Sequence, residues 1–385
     1  MPTPRPEDTQ DQPVATGAVS AGLPGRFGVW IGPGILGAGL LAGFWLAGEP
    51  APSTELPVRI TAEQNVSADR CVECHEDVVD SCQRTPHWNT LRRADIDSVA
   101  DFHGEAEVSG THFMIQHDRD TVWLTTDNGK LRTRIDWLFG SGHHARTPVS
   151  VLQGPDGSTE IIELAVTDYG KKGLGTSPGS EDAGQATSML FGVHHPHSDT
   201  VACFGCHTTE LPVDDRKLQE DRIITGVRCT RCHYEAASHL QTIESGELGM
   251  SPWSSMTAVE SINRCGECHR RADEFSDVEL TEESELLIRF APVGLSQSRC
   301  FIESNGQNGE MQRLDCMTCH DPHQPASTEP AYYNQRCVAC HDEMQPESTP
   351  CSVQPTTSDC LSCHMPKVPV SDWLEFTDHW IRVRE

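Results

Sequence analysis

The sequence predicts a fold that is mainly α-helical and irregular, with a small antiparallel β insertion and an N-terminal transmembrane helix. Three observations carry this expectation. Hydrophobic residues make up only 36% of the 385-residue chain, below the ~45–50% of an ordinary globular protein, so side chains alone supply little core. Fourteen of the 17 cysteines fall in seven short repeats, most of them so close that only short helices and loops fit between. One uncharged run of 22 residues, Phe27 to Gly48, lies near the N-terminus. Charge narrows the partners: 57 acidic against 29 basic side chains give −28. Binding nucleic acid needs a surplus of Lys and Arg, and so does adsorption to anionic lipid. Both are excluded.

The apolar run would be about 33 Å long as a helix at ~1.5 Å per residue, enough to cross a bilayer. It holds seven glycines and Pro33, which weaken a helix in water but are tolerated in lipid. Arg26 before it and Glu49 after it favour a cytoplasmic N-terminus. A cleaved signal peptide is the rival reading. The run is longer than the usual ~7–15 residues, its leading segment is acidic at Glu7, Asp8 and Asp11, and no clear Ala-x-Ala site follows. The expected organisation is a disordered cytoplasmic tail (1–26), an anchor (27–48), a linker (49–64) and an exported domain (65–385). The placement that follows is single-pass in a bacterial inner membrane, with the large domain on the periplasmic side.

The repeats are Cys-x-x-Cys-His pentapeptides: Cys71, Cys74, His75; Cys203, Cys206, His207; Cys229, Cys232, His233; Cys265, Cys268, His269; Cys316, Cys319, His320; Cys337, Cys340, His341; and Cys360, Cys363, His364. This is the attachment pattern of haem c, in which two thioethers hold the porphyrin and the His supplies the proximal nitrogen to iron. Zinc ribbons pair Cys-x-x-Cys knuckles without a fixed following His, and here the His follows every time. Seven covalently attached haem c groups are therefore expected, and they would supply the missing apolar volume. The exported domain is then a haem-packed multihaem cytochrome.

The first motif stands apart from the other six. In the gap, Thr111–Gln116, Thr121–Thr126 and Leu131–Leu138 are rich in β-branched and aromatic residues, with Asp127-Asn128-Gly129 as a turn. Val149–Gln153 and Glu160–Val166 flank Gly154-Pro155-Asp156-Gly157, a second hairpin signal. A small antiparallel insertion over 105–170 is the expectation.

Of 19 histidines, twelve remain after the seven proximal ones: His87, His103, His112, His117, His143, His144, His194, His195, His197, His239, His323 and His379. Several stand in a recognisable setting. Cys229-Thr230-Arg231-Cys232-His233 is followed by His239, Cys316–His320 continues as Asp321-Pro322-His323, and Cys360–His364 is followed by Met365-Pro366-Lys367 and Thr377-Asp378-His379. With His87 after the first motif and Gly140–Thr147 before the second, these segments resemble the multihaem c-type cytochrome family related to the tetrahaem cytochrome partner of hydroxylamine oxidoreductase. The resemblance covers nearly all of 65–385 and points to a heptahaem, membrane-anchored member. It implies His87, His144, His239, His323 and His379 as second axial ligands. His195, and His117 or His112, are the candidates for the places left over. Relatives often carry a further His shortly before the last one, where this chain has Trp373. Cys82, Cys300 and Cys351 lie outside the motifs, and the resemblance implies a Cys300–Cys351 disulfide.

The functional expectation is an electron carrier, relaying electrons from a membrane partner such as a quinol-oxidising complex to a soluble cytochrome or extracellular acceptor. The alternative is a multihaem oxidoreductase acting on a small nitrogen or sulfur compound at one five-coordinate haem. Candidates for the surroundings of such a site are Tyr169, Tyr234, Tyr332, Tyr333, His143, His197 and Arg146. No catalytic residue is assigned.

Overall fold

A computed structural model of the chain describes residues 66–95, 97–126, 129–181, 190–276, 279–281, 284–305, 313–341 and 359–384. The chain enters through helix α1 (Ala68–Cys82), capped by the Ser67 hydroxyl on the Asp69 amide. It then builds eleven strands in succession: β1 (Leu91–Arg93), β2 (Gly104–Val108), β3 (Thr111–Asp118), β4 (Thr121–Thr126), β5 (Arg132–Ile135), β6 (Trp137–Phe139), β7 (Thr147–Gln153), β8 (Thr159–Leu164), β9 (Val166–Asp168), β10 (Leu174–Thr176) and β11 (Gly192–His195).

Two antiparallel sheets dominate this region, a four-stranded one in the order β2-β3-β4-β5 and a five-stranded one in the order β1-β6-β7-β8-β11. Alternation along each strand decides what each face buries. Phe113, Ile115, Val122, Leu124 and Ile135 share one face of the four-stranded sheet and pack with Leu138, Leu164 and Val166 in a single apolar core. The expected strand over Leu131–Leu138 is in fact two, β5 in one sheet and β6 in the other. The break is at Asp136, whose carboxylate accepts the Val151 amide at 2.7 Å. The Gly154–Gly157 hairpin falls where expected, with Gly157 at φ 81° closing it.

The opposite face of the five-stranded sheet carries Leu91, Trp137, Val149 and Ile161, and α2 (His197–His207) packs on it through Val201 and Phe204. Short strands β12 (Thr208–Glu210), β13 (Val213–Asp214), β14 (Lys217–Leu218) and β15 (Ile224–Thr225) follow, then helices α3 (Cys229–Cys232), α4 (Ala236–Thr242), α5 (Ala258–His269), α6 (Glu285–Arg289), α7 (Ala291–Ser296), α8 (Arg299–Ser304), α9 (Cys316–Cys319), α10 (Pro330–His341) and α11 (Cys360–His364). A last hairpin, β16 (Lys367–Pro369) with β17 (Glu375–Thr377), closes the chain. Ala258, Ile262, Leu295 and Phe301 form a small core among α5, α7 and α8. By contrast α9, α10 and α11 bury no side chain of their own.

Two expectations are corrected. The fold is not mainly helical with a small insertion: the described residues hold 17 strands in six antiparallel sheets, running from Leu91 to Thr225 and again at the C-terminus. The strands wholly outside 105–170 are two to four residues long, too short to show a period in sequence. The membrane-spanning helix and the single-pass inner-membrane placement are corrected as well, since among the described residues no helix is long and apolar enough to cross a membrane. The longest, α1, has 15 residues and buries only Val79, against the ~20 apolar residues a crossing requires. Segment 27–48, with the tail and linker around it, lies outside the described residues.

Candidate haem-binding sites

Each of the seven motifs lies at the end of a helical segment. Motifs two, four, six and seven close α2, α5, α10 and α11 on their own His. In motifs three and five the helix stops at the second Cys, and His233 and His320 are the C-caps. The first lies inside α1, which kinks at His75 (φ −123°, ψ 38°). The reason is local. Two cysteines three apart share one helix face, and a following His at the helix end can turn its ring back toward that face.

The motifs come together through their sulfurs. All are free thiols, and Cys71 is hydrogen-bonded with Cys229, Cys206 with Cys268, Cys265 with Cys316 and Cys337 with Cys360. Cys232 neighbours Cys265 and Cys268, and Cys319 neighbours Cys340. Numbered along the chain, the motifs are therefore contiguous in the order one, three, four, five, six, seven, with the second joined to the fourth. The hydrogen bond with Cys71 lowers the Cys229 thiol to about 7. Among the described residues no three His, Cys, Asp or Glu side chains converge as a metal cage.

Imidazoles pair across the motifs. Ring centroids lie 5.9 Å apart for His87 and His269, 6.0 Å for His233 and His323, and 6.3 Å for His320 and His379. Two imidazoles on opposite sides of one metal, with metal–nitrogen bonds of ~2.0–2.1 Å, place their centroids about 6 Å apart. All three pairs fit that requirement. Burial, then His87, His207 and His379, lower His269 to about 4. His233 is lowered by burial, then by His323, His75 and His239. These rings are neutral at pH 7, the state that binds a metal.

Hydrogen bonds sort the histidines further. A carbonyl or carboxylate only accepts, so a ring nitrogen bonded to one carries the proton and the other nitrogen is the ligand. His207 Nδ1 donates to the Thr90 carbonyl at 3.0 Å, His364 Nδ1 to Arg382 at 2.9 Å, His379 Nδ1 to Thr377 at 2.9 Å and His239 Nδ1 to Leu248 at 2.6 Å. His323 Nδ1 donates to the Asp321 carboxylate at 3.1 Å. Each leaves Nε2 for iron.

Other candidates are placed differently. His195 Nε2 lies 3.1 Å from Glu163, His194 Nε2 2.7 Å from Glu160 and His117 Nε2 2.8 Å from the Phe102 carbonyl, while His112 Nε2 lies 3.4 Å from Glu105. His144 packs at 4.7 Å on His143 and at 5.8 Å on Phe376 of β17, with no proximal ring among those contacts. His197, expected only among the surroundings of a five-coordinate site and not as a ligand, faces the Thr159 carbonyl with Nδ1 at 2.9 Å and leaves Nε2 for a metal. The only hint was its place at the start of the helix that ends in the second motif. Arg146 is tied to Asp168 and Asp101, and the Tyr169 hydroxyl donates to Thr176 at 2.7 Å. Cys82 and Cys300 are free thiols, and Cys351 of the expected disulfide lies outside the described residues.

No family model matches the chain, and no curated protein does. Among solved structures it is similar to the outer cell wall cytochrome OcwA, with 15% identity and a TM-score of 0.49 over 83% of this chain and 80% of that one. At that level the likeness adds no weight to the site, which stands on its motifs and paired rings.

Proposed function

We propose that the chain is a multihaem c-type cytochrome, akin to the family its motifs resemble, that carries seven haem c groups and relays electrons between redox proteins. The observation that carries this is the set of three imidazole pairs at 5.9–6.3 Å, each joining a motif His to a His outside the motifs. Bound haem supplies a one-electron iron couple. The chain's part would be to supply two imidazoles to the iron of such a group, so that no ligand need be exchanged when the charge changes. His269 with His87, His233 with His323, and His320 with His379 do this for three sites, and His75, His207, His341 and His364 supply one nitrogen each to the others. The Nδ1 bonds to backbone carbonyls hold ring orientation and raise ligand basicity. Sulfur contacts between motifs keep the groups within a short edge-to-edge reach of one another. Net charge −28 favours the ferric state and selects a basic redox partner, such as a soluble cytochrome, over an acidic one.

Mass spectrometry and a pyridine haemochrome assay on protein from a host competent in cytochrome maturation test the reading. Seven haem masses per chain and a spectrum dominated by low-spin iron are expected. A bare polypeptide mass ends the case, and a fast carbon monoxide reaction at most sites ends the electron-carrier reading.

A further inference from the structure

Arginines gather where motifs meet, and two groups of them hold more positive charge than their surroundings balance. Arg231 and Arg264 each stand immediately before a motif cysteine, Cys232 and Cys265. Both turn to the same carboxylate: Arg231 Nη1 lies 3.3 Å and Arg264 Nε 3.7 Å from Glu267, with side chains 4%, 24% and 17% exposed in that order. Arg231 also donates to the Tyr234 hydroxyl at 3.1 Å, which in turn donates to Glu267. The Arg264 guanidinium lies flat over the Tyr234 ring, 3.9 Å from its centroid. Its Nη1 is buried and meets no acceptor among the described residues.

The pattern recurs at the last motif. Arg382 and Arg384 converge on Asp378, which is 2% exposed. Arg382 stacks on Trp380 at 3.6 Å, its carbonyl accepts His364 Nδ1 at 2.9 Å, and its Nη1, 3.7 Å from Asp378, is buried without a hydrogen-bond acceptor among the described residues. In both places two guanidinium charges face one carboxylate. Arginine does not deprotonate, and a buried unpaired charge is strongly unfavourable. The chain has 57 acidic residues to draw on, yet none of those described hydrogen-bonds to Arg264 or Arg382 at Nη1, and the nearest carboxylate to Arg382 Nη1 is the shared Asp378 at 3.7 Å. An anion that arrives with something else satisfies both. A carboxylate matches the guanidinium edge best.

We propose that Arg264 and Arg382 each donate from Nη1 to a propionate carboxylate of a haem, Arg264 at the junction of the third and fourth motifs and Arg382 at the seventh. Arg231 and Arg384 supply the second positive charge in each group. The proposal rests on the haem reading and specifies what these residues do for the bound group. A guanidinium there keeps the propionate ionised and cancels its field at the iron, so it holds that site's potential above the value it would have without the cation.

The test uses the full chain, matured in a cytochrome-competent host, as Arg264→Gln, Arg382→Gln and Arg264→Lys. Haem mass per chain is measured first, which separates the two readings: a chain without haem overturns the parent proposal and not this one alone. In fully loaded Arg264→Gln and Arg382→Gln, one component of the potentiometric titration is expected to move to lower potential. A propionate bending band in the resonance Raman spectrum is expected to shift with it. Arg264→Lys should keep both near wild type. Unchanged titration and unchanged Raman bands in both glutamine variants overturn the proposal. If Arg264→Gln fails to accumulate, a matured Arg264→Lys with wild-type bands supports it, and an equally defective Arg264→Lys counts against a need for charge and overturns it.

Discussion

Replacing His87 by alanine removes one ring of the 5.9 Å pair with His269 and nothing else that the fold depends on. The loop is held by its backbone: Val227 donates to the His87 carbonyl at 2.8 Å, and Gly226 donates to the His207 carbonyl at 3.0 Å. Neither bond needs the imidazole, so the chain should still fold and mature. The iron held by His269 then keeps one axial ligand. With seven motifs in the chain, about one-seventh of the haem absorbance should convert from low-spin to high-spin, and one equivalent of carbon monoxide should bind. The assay is a carbon monoxide difference spectrum on the reduced protein, calibrated by haemochrome. His195→Ala is the control, because its Nε2 is turned to Glu163 at 3.1 Å, and it should leave the low-spin count untouched. An unchanged spectrum for His87→Ala, or a high-spin fraction from His195→Ala, would refute the use of ring pairing and Nδ1 bonding to pick ligands.

Four further outcomes are expected. Gly226→Ala places a Cβ 2.0 Å from the Trp88 carbonyl at φ +76°; it should cost well beyond the ~1–2 kcal/mol of a left-handed residue, whereas Gly246→Ala, at φ +81° with nothing within 4 Å, should cost about that alone in a thermal melt. Arg146→Met leaves Asp168, whose side chain is 12% exposed, without its cation, and urea unfolding should show a loss of roughly 3–5 kcal/mol. The His195 imidazolium is raised above its ordinary 6.5 by its hydrogen bond to Glu163, against its burial; its contribution to stability is full below pH 6.5 and is lost as pH rises through the raised value, so His195→Gln should flatten the fall in melting temperature just above that pH. Electron paramagnetic resonance should show ferric sites of two kinds, because the His87 and His269 planes cross at 70° while those of His233 and His323 lie within 9°. Crossed planes leave two iron d orbitals nearly degenerate and give a large maximal g value, parallel planes give a rhombic signal, and loss of the large-g feature in His87→Ala checks the assignment.

The motifs are legible because each is five consecutive residues, and each pentapeptide ends a helical segment. The strands of 111–166 were legible because they are long enough to show a period of two. What escaped was long-range or short. Pairing His87 with His269 joins residues on opposite sides of the β region, which no local pattern reports. β11 reads as a histidine cluster, yet His194 and His195 are consecutive residues of a strand paired to β8. Their Nε2 atoms face Glu160 and Glu163 there. Trp373, which stands out as a departure from a histidine, proves to be a packing residue. It stacks on Tyr169 at 5.2 Å and fills the space that a Cβ on Gly175 would occupy.

The β region does more than fill the gap between the first motif and the rest. One face of the five-stranded sheet carries Trp137, which meets Phe204 edge-on at 5.6 Å, and Phe204 and His207 both pack on Phe139 at 5.0 Å. Thr90, beside β1, accepts His207 Nδ1 with its carbonyl and also takes the Gly140 amide at 2.7 Å. The second motif is thus oriented from outside its own helix, by strand residues distant in sequence. The last hairpin is held the same way, through Trp373 on Tyr169 and through Lys172 Nζ on the Trp373 carbonyl at 2.9 Å. Short helices such as α9 and α11, which bury no side chain of their own, gain little rigidity from packing one another. An antiparallel scaffold that touches the second motif and the hairpin after the seventh supplies it there, because hydrogen-bonded strands resist the small displacements that would change ring-to-ring distances. The corrected fold thus bears on the proposed function: if the motifs carry redox groups, their spacing needs a rigid frame, and the sheets would supply it at the second motif and the last hairpin.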